Sequence, residues 1–489
     1  MTRCLTVLPV AVLLLTRAAD AEVLSVGPTG AYAAPCAAFA AAADGDTIEL
    51  DAAGMYDGDV CAISKNGLTI RGVSGLAKID AAGQNSGGKG IWVVQGDDTT
   101  IENVEFSGAA VPDLNGAGIR QEGRNLTVRG CVFRDNENGI LGGDGADSHI
   151  LIENSEFDQN GAGDGYSHNL YIGHAGKLTF RYNWSHRSVV GHLLKSRAAE
   201  NYVLYNRITG EDGSSSYELN FPNGGKTYVI GNLIEQGSSS DNNSILAYIE
   251  EGEHEGNPSH QLFVVNNSFV NTRGNGTFLN IAAGADPAVV ANNLFSGGGT
   301  ITNQAGAMLV NNYDGEMPCL TDAAAYDYAL LAGSPCVNGG AAPGDGDGFP
   351  LAPDAHYVHP RQSSGRASVD AIDIGAYELG GDVMPQGGAG SGAGGADGGQ
   401  AGSAPGSAGK ADQAGSGGGS GAGAPSGNAG SSATAGAGNV PASPTESDSG
   451  CGCRSAGSQR GSSLALLGLM ALLGVRRRRG RLIHPTPDM

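Results

Sequence analysis

Short apolar stretches recur along the middle of the chain, and each is followed by Asn or Gly and then by a second apolar pair. Asn and Gly adopt left-handed backbone more readily than other residues, so they suit a sharp corner between two strands. The stretches are IENVEF (101–106), VRGCVF (128–133), LIENSEF (151–157), LYNRI (204–208), IGNLI (230–234), VNNSF (265–269), ANNLF (291–295) and VNNY (310–313). The predicted corners, 19 to 35 residues apart, are Asn103, Gly130, Asn154, Asn183, Asn206, Asn232, Asn267, Asn293 and Asn312.

A repeat of short strands with a period in the twenties predicts a parallel β-helix, in which each coil stacks on the one before. Leucine-rich repeats share the period but require a Leu consensus that is missing here, and helical repeats require a 3.6-residue apolar period that is also missing. The repeat region extends over about 360 residues, which is long for one ordinary globular core. We therefore expect an all-β fold, a single-stranded parallel β-helix whose corner asparagines hydrogen-bond one another along the stack.

Both ends of the repeat region resemble a known family. DGDTIEL (44–50) and GLTIRGVSG (67–75) are similar to the first coils of right-handed β-helix proteins of the pectin-lyase-like superfamily. YDYALLAGSPCVNGG (326–340) and DIGAYE (373–378) resemble the closing segment of many such proteins. The resemblance implies a right-handed parallel β-helix over residues 22–380.

The first 21 residues have the pattern of a signal peptide. Arg3 precedes an apolar run from Leu5 to Leu15, and Ala19-Asp20-Ala21 fits a small-x-small cleavage site. The run is too short for an ordinary membrane span. We therefore expect export across the inner membrane and removal of residues 1–21.

The C-terminal third differs in composition from the repeat region. Residues 381–450 are almost entirely Gly, Ala, Ser and Pro, which predicts a disordered linker. Residues 451–489 contain CGCR (451–454), a short apolar segment that we predict to be transmembrane (464–475) and four Arg (476–479). This order resembles the C-terminal sorting tails of myxobacterial surface proteins, which implies processing near the Cys by a sortase-like protease. We expect a secreted protein tethered to the membrane or outer envelope at the cell surface.

Five cysteines lie between the predicted leader and the linker. An exported protein can form disulfides. Proximity in the chain favours Cys36–Cys61 and Cys319–Cys336, although spacing does not prove connectivity. Cys131 is then left over, and we expect it to be a buried thiol.

A basic, histidine-rich stretch stands out against an acidic chain. The formal net charge is −22, yet residues 165–199 contain no Asp or Glu, two Lys, three Arg and four of the ten His. Local charge sets the local potential, so this stretch predicts an anionic ligand. Nucleic acid is a poor candidate because the acidic remainder of the surface would repel phosphate. An anionic polysaccharide is the partner that we expect.

The strand after each corner places part of this stretch on one face of the predicted β-helix. Successive side chains of a strand point to opposite faces, so alternating apolar residues define an inward and an outward column. The inward column is predicted to be Ile119, Ile140, Leu170, Leu194, Leu219, Ala247 and Leu279. The outward column is predicted to be Arg120, Leu141, Tyr171, Lys195, Asn220, Tyr248 and Asn280, flanked by Asn169, Arg197, Glu218 and Glu250.

Cleavage of a uronate polysaccharide by β-elimination would require these side chains in defined roles. A cation must neutralise the sugar carboxylate, a base must remove the neighbouring proton, and an acid must protonate the leaving oxygen. Lys195, His168 or His192 could be the base, Tyr171 the acid, and Arg197 a bidentate partner of the carboxylate. The predicted catalytic residues are Lys195, Arg197, His192, His168 and Tyr171. The predicted substrate-binding residues are Asn169, Asn220, Glu218, Tyr248 and Arg120.

A shorter motif resembles a narrower family. KSRAAENYVLYN (195–206) followed by LNF (219–221) is similar to the lysine coil of the chondroitinase-B and alginate-lyase family. The resemblance implies that Lys195 is the base and that calcium neutralises the carboxylate. Two features depart from that family: SVVGHLL (188–194) lacks the expected acidic calcium ligands, and Pro222 stands where Arg is expected. The remaining candidate metal ligands are Asp164, Glu218 and Glu250.

Two other functions fit the same face. A glycoside hydrolase needs two facing carboxyl groups, and Glu218 and Glu250 are predicted on one face about 10 Å apart by coil spacing; an epimerase could use the same groove. A non-catalytic adhesin or glycan-binding protein is the third possibility, although an adhesin would be expected to spread its aromatic residues along the coils. In each case we expect a monomer.

Overall fold

The computed structural model describes residues 21–367 and 369–380. Within this part of the chain, three parallel sheets run side by side, and each coil adds one strand to each sheet in turn. The fold is therefore an all-β parallel solenoid, as the repeat predicts. The predicted linker and sorting tail, and the predicted signal peptide apart from Ala21, lie outside the described residues. None of the described helices is long and apolar enough to cross a membrane.

The three sheets contain similar numbers of strands: 12, 9 and 10 among the described residues. The first sheet contains Val23–Val26, Thr47–Asp51, Thr69–Val73, Thr99–Glu102, Leu126–Arg129, Gly145–Glu153, Ala175–Arg181, Glu200–Leu204, Lys226–Ile230, Leu262–Val265, Ala288–Ala291 and Met308–Val310. The second sheet contains Ala77–Asp80, Val104–Ser107, Val132–Arg134, Glu156–Asp158, Trp184–His186, Arg207–Thr209, Leu233–Gln236, Ser268–Asn271 and Leu294–Gly297. The third sheet contains Cys61–Ile63, Gly90–Val94, Ala117–Gln121, Asn138–Gly142, Leu170–Ile172, Lys195–Ser196, Leu219–Phe221, Ser244–Tyr248, Thr277–Ile281 and Thr300–Thr302.

Stacked apolar columns fill the interior of the solenoid. In the third sheet the inward column is Ile119, Ile140, Leu170, Leu194, Leu219, Leu246 and Leu279, all fully buried. In the second sheet Phe106, Phe133 and Phe157 stack with ring centroids 5.2 and 4.8 Å apart. Large apolar surface removed from water in this way is the main stabilising contribution to the coils.

One position of the predicted inward column was wrong. Leu219 pairs with Leu246, not with Ala247, and Asn220 pairs with Ala247, not with Tyr248. The segment LAYIE permits either alignment because Leu, Ala, Tyr and Ile are all apolar. The larger Leu246 and Tyr248 take the inward positions, which leaves the small Ala247 on the outer face.

The predicted corner residues belong to two neighbouring columns. Asn103, Gly130 and Asn154 have positive φ and form the turn between the first and second sheets. In later coils Tyr182, Tyr205 and Gly231 take that left-handed position, and the asparagines lie one residue further on.

Those later asparagines form a continuous buried ladder, as expected from stacked asparagines. Asn206 donates from both its backbone N–H and its Nδ2 to Asn232 Oδ1 at 2.9 Å, and Asn232 donates in the same way to Asn267 at 2.9 Å. Among the described residues, each amide of the ladder except the last, Asn312, therefore has a partner in the next coil. The members of the ladder are Asn183, Asn206, Asn232, Asn267, Asn293 and Asn312.

The N-terminal end of the solenoid is closed by the helix Pro35–Ala41. Phe39 of this helix packs edge-on against Trp92 in the third sheet, with ring centroids 5.1 Å apart. A disulfide joins Cys36 of the helix to Cys61 at the start of the third sheet. This pairing was predicted from proximity and is confirmed.

The C-terminal segment folds back along the outside of the coils. It contains the 3₁₀ helix Ala323–Ala325 and the strand pairs Leu320–Asp322 with Asp327–Leu330, Asp345–Gly346 with Phe349–Pro350, and Ala355–Val358 with Gln362–Gly365. The predicted Cys319–Cys336 disulfide is present, and Cys131 is a buried free thiol as expected. Tyr205, in the turn between the first and second sheets, donates to Asp354 Oδ1 at 2.7 Å, which ties this segment to the solenoid.

Candidate functional site

The outer face of the third sheet brings together the basic residues of the 165–199 stretch. Tyr171 pairs with Lys195, and Lys195 pairs with Asn220 in the next coil. Arg197 follows two residues after Lys195 and lies on the same side. We call Tyr171, Lys195, Arg197 and Asn220, with the side chains that contact them, the Lys195 patch.

Arg197 connects the members of the patch. Its Nε donates to the Tyr171 hydroxyl at 2.8 Å, and its Nη1 donates to Asn223 Oδ1. Lys195 Nζ lies 5.4 Å from the centre of the Tyr171 ring. A phenol, a guanidinium and an amine are therefore held within one small area, as the predicted outward column requires.

Two residues of the patch were missed by the sequence reasoning. Glu251 accepts from Arg197 Nη2 at 2.6 Å and from Lys195 Nζ at 3.4 Å, and Asn223 holds the other side of the guanidinium. The acidic run EEGEHEG (250–256) was an available signal, but it follows the strand Ser244–Tyr248, two coils after Lys195, and reaches the patch only because that loop folds back. These contacts bury Lys195, which is 2% exposed although it points away from the core.

His168 and His192 lie beneath the patch as a stacked pair. Their rings are parallel, with centroids 4.5 Å apart, and both residues are buried. His168 Nδ1 accepts from the backbone N–H of His192 at 3.1 Å, and His192 Nδ1 accepts from that of Tyr217 at 3.2 Å. Burial, with the positive charges of Lys195 and Arg197, holds the pKa of both rings well below its usual value, so both are neutral at pH 7.

Glu250 lies beside the patch, next to Asn220. Asn220 Nδ2 donates to Glu250 Oε1, while Glu250 Oε2 and Asn220 Oδ1 are buried and have no hydrogen-bond donor among the described residues. Burial is the main cause that raises the pKa of the Glu250 carboxyl above its usual value, and the charge of Glu251 adds to the rise. A proton on Glu250 would supply a donor here, and a hard cation would instead bind the two oxygens as ligands.

Tyr248 does not belong to the outer face. It is fully buried, and its hydroxyl donates to the Gly225 carbonyl at 2.6 Å. The one-residue shift of the strand Ser244–Tyr248 moves its whole alternation, so Tyr248 points into the solenoid. The prediction that Tyr248 contacts substrate was therefore wrong.

Asn169 and Glu218 also face the interior. Both have the outward parity but precede the strands Leu170–Ile172 and Leu219–Phe221, where the chain turns a corner and strict alternation fails. Asn169 accepts from Asn160 Nδ2 at 3.0 Å in a second amide ladder, and Glu218 accepts from Ser215 at 3.2 Å. Both side chains are completely buried, so the prediction that they bind substrate was wrong.

The remaining predicted residues are more distant from the amine. Arg120 is half-buried on the same outward column, separated from Tyr171 by the coil that contains Leu141. Asp164 Oδ1 accepts from the backbone of Tyr166 at 2.9 Å and from the hydroxyl of Ser167 at 3.0 Å, so it organises its own loop.

The oxygens beside Lys195 can be compared with the needs of calcium, which binds oxygen ligands. The free oxygens of Glu250 and Asn220 suit a hard cation, so these are the residues that would hold one. Asp164 is committed to its loop and Glu218 lies inside the solenoid, so neither fits the predicted metal role.

A second cluster of titratable groups lies on the second sheet. One nitrogen of the buried His186 and one oxygen each of Glu156 and Asp158 lie within 4.8 Å of one another. Arg187 donates to both oxygens of Asp158 at 2.9 and 2.7 Å, and Glu211 lies 3.5 Å from His186. Hydrogen bonds to Glu156 and Glu211 outweigh burial and raise the pKa of His186. The cluster is a compensated ion-pair network, and sequence reasoning had not singled it out.

Comparisons with known proteins agree with the architecture. A family model described as "Right handed beta helix region" matches residues 66–234. Among solved structures, pectate lyase Pel9A aligns with 73% of this chain and 96% of its own, at 16% identity and a TM-score of 0.44. A search of curated proteins finds no match. The three-sheet coils, together with the family match over residues 66–234, identify the fold of the described region as a right-handed parallel β-helix.

Proposed function

We propose that this protein binds an acidic polysaccharide at the Lys195 patch and cleaves it by β-elimination. The observation that carries the proposal is the convergence of Lys195, Arg197 and Tyr171 on the outer face of one sheet. Three such groups need not meet for folding, because the interior of the coils is built from apolar columns and amide ladders. Elsewhere the chain is acidic, so a cationic patch favours an anionic partner.

The chemistry assigns one task to each side chain. Arg197 holds the uronate carboxylate, which stabilises the negative charge that develops next to it. The Lys195 amine removes the proton from the carbon next to that carboxylate. The electrons of the broken C–H bond form a C=C bond, the bond to the glycosidic oxygen breaks, and Tyr171 donates its proton to that oxygen. If calcium takes part, it supplies additional positive charge at the carboxylate, and Glu250 with Asn220 would hold it.

The alternatives have less support. A hydrolase using Glu218 and Glu250 is not favoured, because Glu218 faces the interior and Glu250 the outer side of the sheet. His168 and His192 are neutral and could act as bases, but their Nδ1 atoms already accept backbone hydrogen bonds. A glycan-binding protein without activity would use the same cations, and only an assay separates it from a lyase.

The test is an assay of the full chain against polygalacturonate, alginate, chondroitin sulfate and a neutral glucan, with and without calcium. Ultraviolet absorbance reports the new C=C bond, and reducing ends report chain cleavage. We expect both signals to rise on one acidic polymer and neither on the neutral glucan. Reducing ends without absorbance would replace the lyase with a hydrolase, and retention of a polymer without either signal would replace it with a binding protein.

We further propose that the protein is exported, acts as a monomer and is tethered to the outer envelope through residues 451–489. The proposal rests on the predicted leader and tail, and the two disulfides fit an oxidising compartment. Fractionation of producing cells, with mass spectrometry of both termini, tests it. Recovery in the cytoplasm with residues 1–21 intact would contradict it, and light scattering of the purified chain checks the monomer.

A further inference from the structure

The Lys195 patch already contains a bound carboxylate, and it comes from the protein itself. Glu251 Oε2 lies 2.6 Å from Arg197 Nη2, and Glu251 Oε1 lies 3.4 Å from Lys195 Nζ. One carboxylate thus bridges the guanidinium and the amine to which the proposed function assigns the substrate. A uronate carboxylate would replace Glu251 on the guanidinium, which leaves the amine to face the carbon next to that carboxylate.

Glu251 belongs to a surface loop and not to the sheet. Residues 249–261 connect the strand Ser244–Tyr248 of the third sheet to Leu262–Val265 of the first. Several contacts hold the loop over the patch. Glu251 N–H donates to the Pro222 carbonyl and Asn223 Nδ2 to the Gly252 carbonyl, both at 3.0 Å, and the ring of His254 stacks on that of His174 with centroids 3.8 Å apart. Ile249 and Asn257 are the buried residues of this loop, and the others are half-buried or exposed, so the loop contributes little apolar burial to the fold.

The burial of the two cations depends on this carboxylate. Lys195 is 2% exposed and Arg197 is 8% exposed, and a buried charge that loses its partner is strongly unfavourable. A ligand that moves Glu251 aside must therefore bring its own negative charge. A neutral sugar cannot do so, because its hydroxyl groups would leave both cations without a counter-charge.

We propose that Glu251 is an internal substitute for the substrate carboxylate, and that the loop at 249–261 closes the Lys195 patch until an acidic sugar displaces it. This inference rests on the proposed function, and it adds a competition between the chain's own carboxylate and that of the ligand. The competition lowers the affinity for every acidic ligand and excludes neutral ones.

The experiment uses affinity electrophoresis of the full chain through gels containing polygalacturonate, alginate or neutral dextran. The variants are Glu251→Gln, which keeps the shape and removes the charge, and Glu251→Ala. Glu253→Gln is the matched control, because Glu253 is in the same loop, has a side chain 56% exposed and pairs only loosely with His260 at 3.8 Å. Thermal unfolding of each variant verifies that the solenoid is intact.

We expect Glu251→Gln and Glu251→Ala to bind one acidic polymer at least tenfold more tightly than the wild type, and Glu253→Gln to be unchanged. Equal or weaker binding by folded Glu251 variants would overturn the proposed closure of the Lys195 patch by Glu251. It would leave acidic-polymer binding by the wild type in place. If neither acidic polymer retains any variant, both the proposed closure and the proposed function are overturned, because the uncovered cations would then attract no carboxylate.

Discussion

Arg197 donates a 2.8 Å hydrogen bond from Nε to the hydroxyl of Tyr171, which lies in the preceding coil. The bond fixes the phenol oxygen next to a permanent positive charge, and this position favours release of its proton to a leaving group. It also joins two coils through side chains on their outer faces. The hydrogen bond therefore has both a structural and a chemical consequence. Substitution of Tyr171 tests the chemical one through the elimination rate.

Tyr171→Phe removes the hydroxyl and keeps the ring. If Tyr171 is the acid, the elimination rate falls by roughly 100-fold or more, which is the usual contribution of a general acid. Binding of the acidic polymer should persist, because Arg197 and Lys195 remain. Parallel measurements of initial rate and of retention in a polymer gel check this, and an unchanged rate would remove Tyr171 from the mechanism.

The asparagine ladder should be a principal source of coil stability. Asn232→Ala leaves the backbone N–H and the Nδ2 of Asn206 without their acceptor in a fully buried position. We expect a loss of about 3 kcal/mol in the free energy of unfolding. Denaturant unfolding of the full chain measures it, with the exposed Asn243→Ala as control. A loss equal to that of the control would show that the ladder is dispensable.

Glu218 should make stability depend on pH. Burial, reinforced by the charge of Glu235, raises the pKa of Glu218 well above its usual value, so the folded state binds a proton that the unfolded state releases above about pH 4.5. Stability from this group is present below that pH and decreases as the pH rises toward the folded-state pKa. Glu218→Gln removes the titration and keeps an oxygen that can accept from the Ser215 hydroxyl.

We therefore expect Glu218→Gln to be at least as stable as the wild type, with an advantage that grows between pH 5 and pH 8. Melting temperatures of both chains across that range provide the measurement. An advantage that stays constant across that range would mean that burial does not raise the pKa of Glu218 in the folded protein.

Much of the fold could be predicted from the sequence because the same pattern of strand and corner recurs in every coil, so an unclear assignment in one coil is resolved by the others. Asn and Gly at a steady period identified the corners, and the stacked amides followed from their identity. The misplacement of Tyr248 arose in LAYIE, where four apolar residues permit two registers and only packing against Leu219 decides. Asn169 was misplaced because alternation applies within a strand and Asn169 lies just before one.

Half of the candidate site could be predicted for the same reason. Tyr171, Lys195 and Asn220 are consecutive members of one column, so the coil spacing alone brings them together. Glu251 reaches Arg197 through a loop that folds back across the face, and no periodic pattern encodes where such a loop ends. Its role depends on long-range contacts that a repeat does not specify.

The assignment of Lys195 as the base is tested most directly by the elimination rate of three full-length chains on the acidic polymer that responds in the substrate assay. Wild type is compared with Lys195→Ala and with Lys78→Ala, whose lysine is 69% exposed on the second sheet. Ultraviolet absorbance follows the new C=C bond, and circular dichroism verifies the fold. We expect Lys195→Ala to lose essentially all activity and Lys78→Ala to keep it. Full activity in folded Lys195→Ala would contradict the assignment of Lys195 as the base.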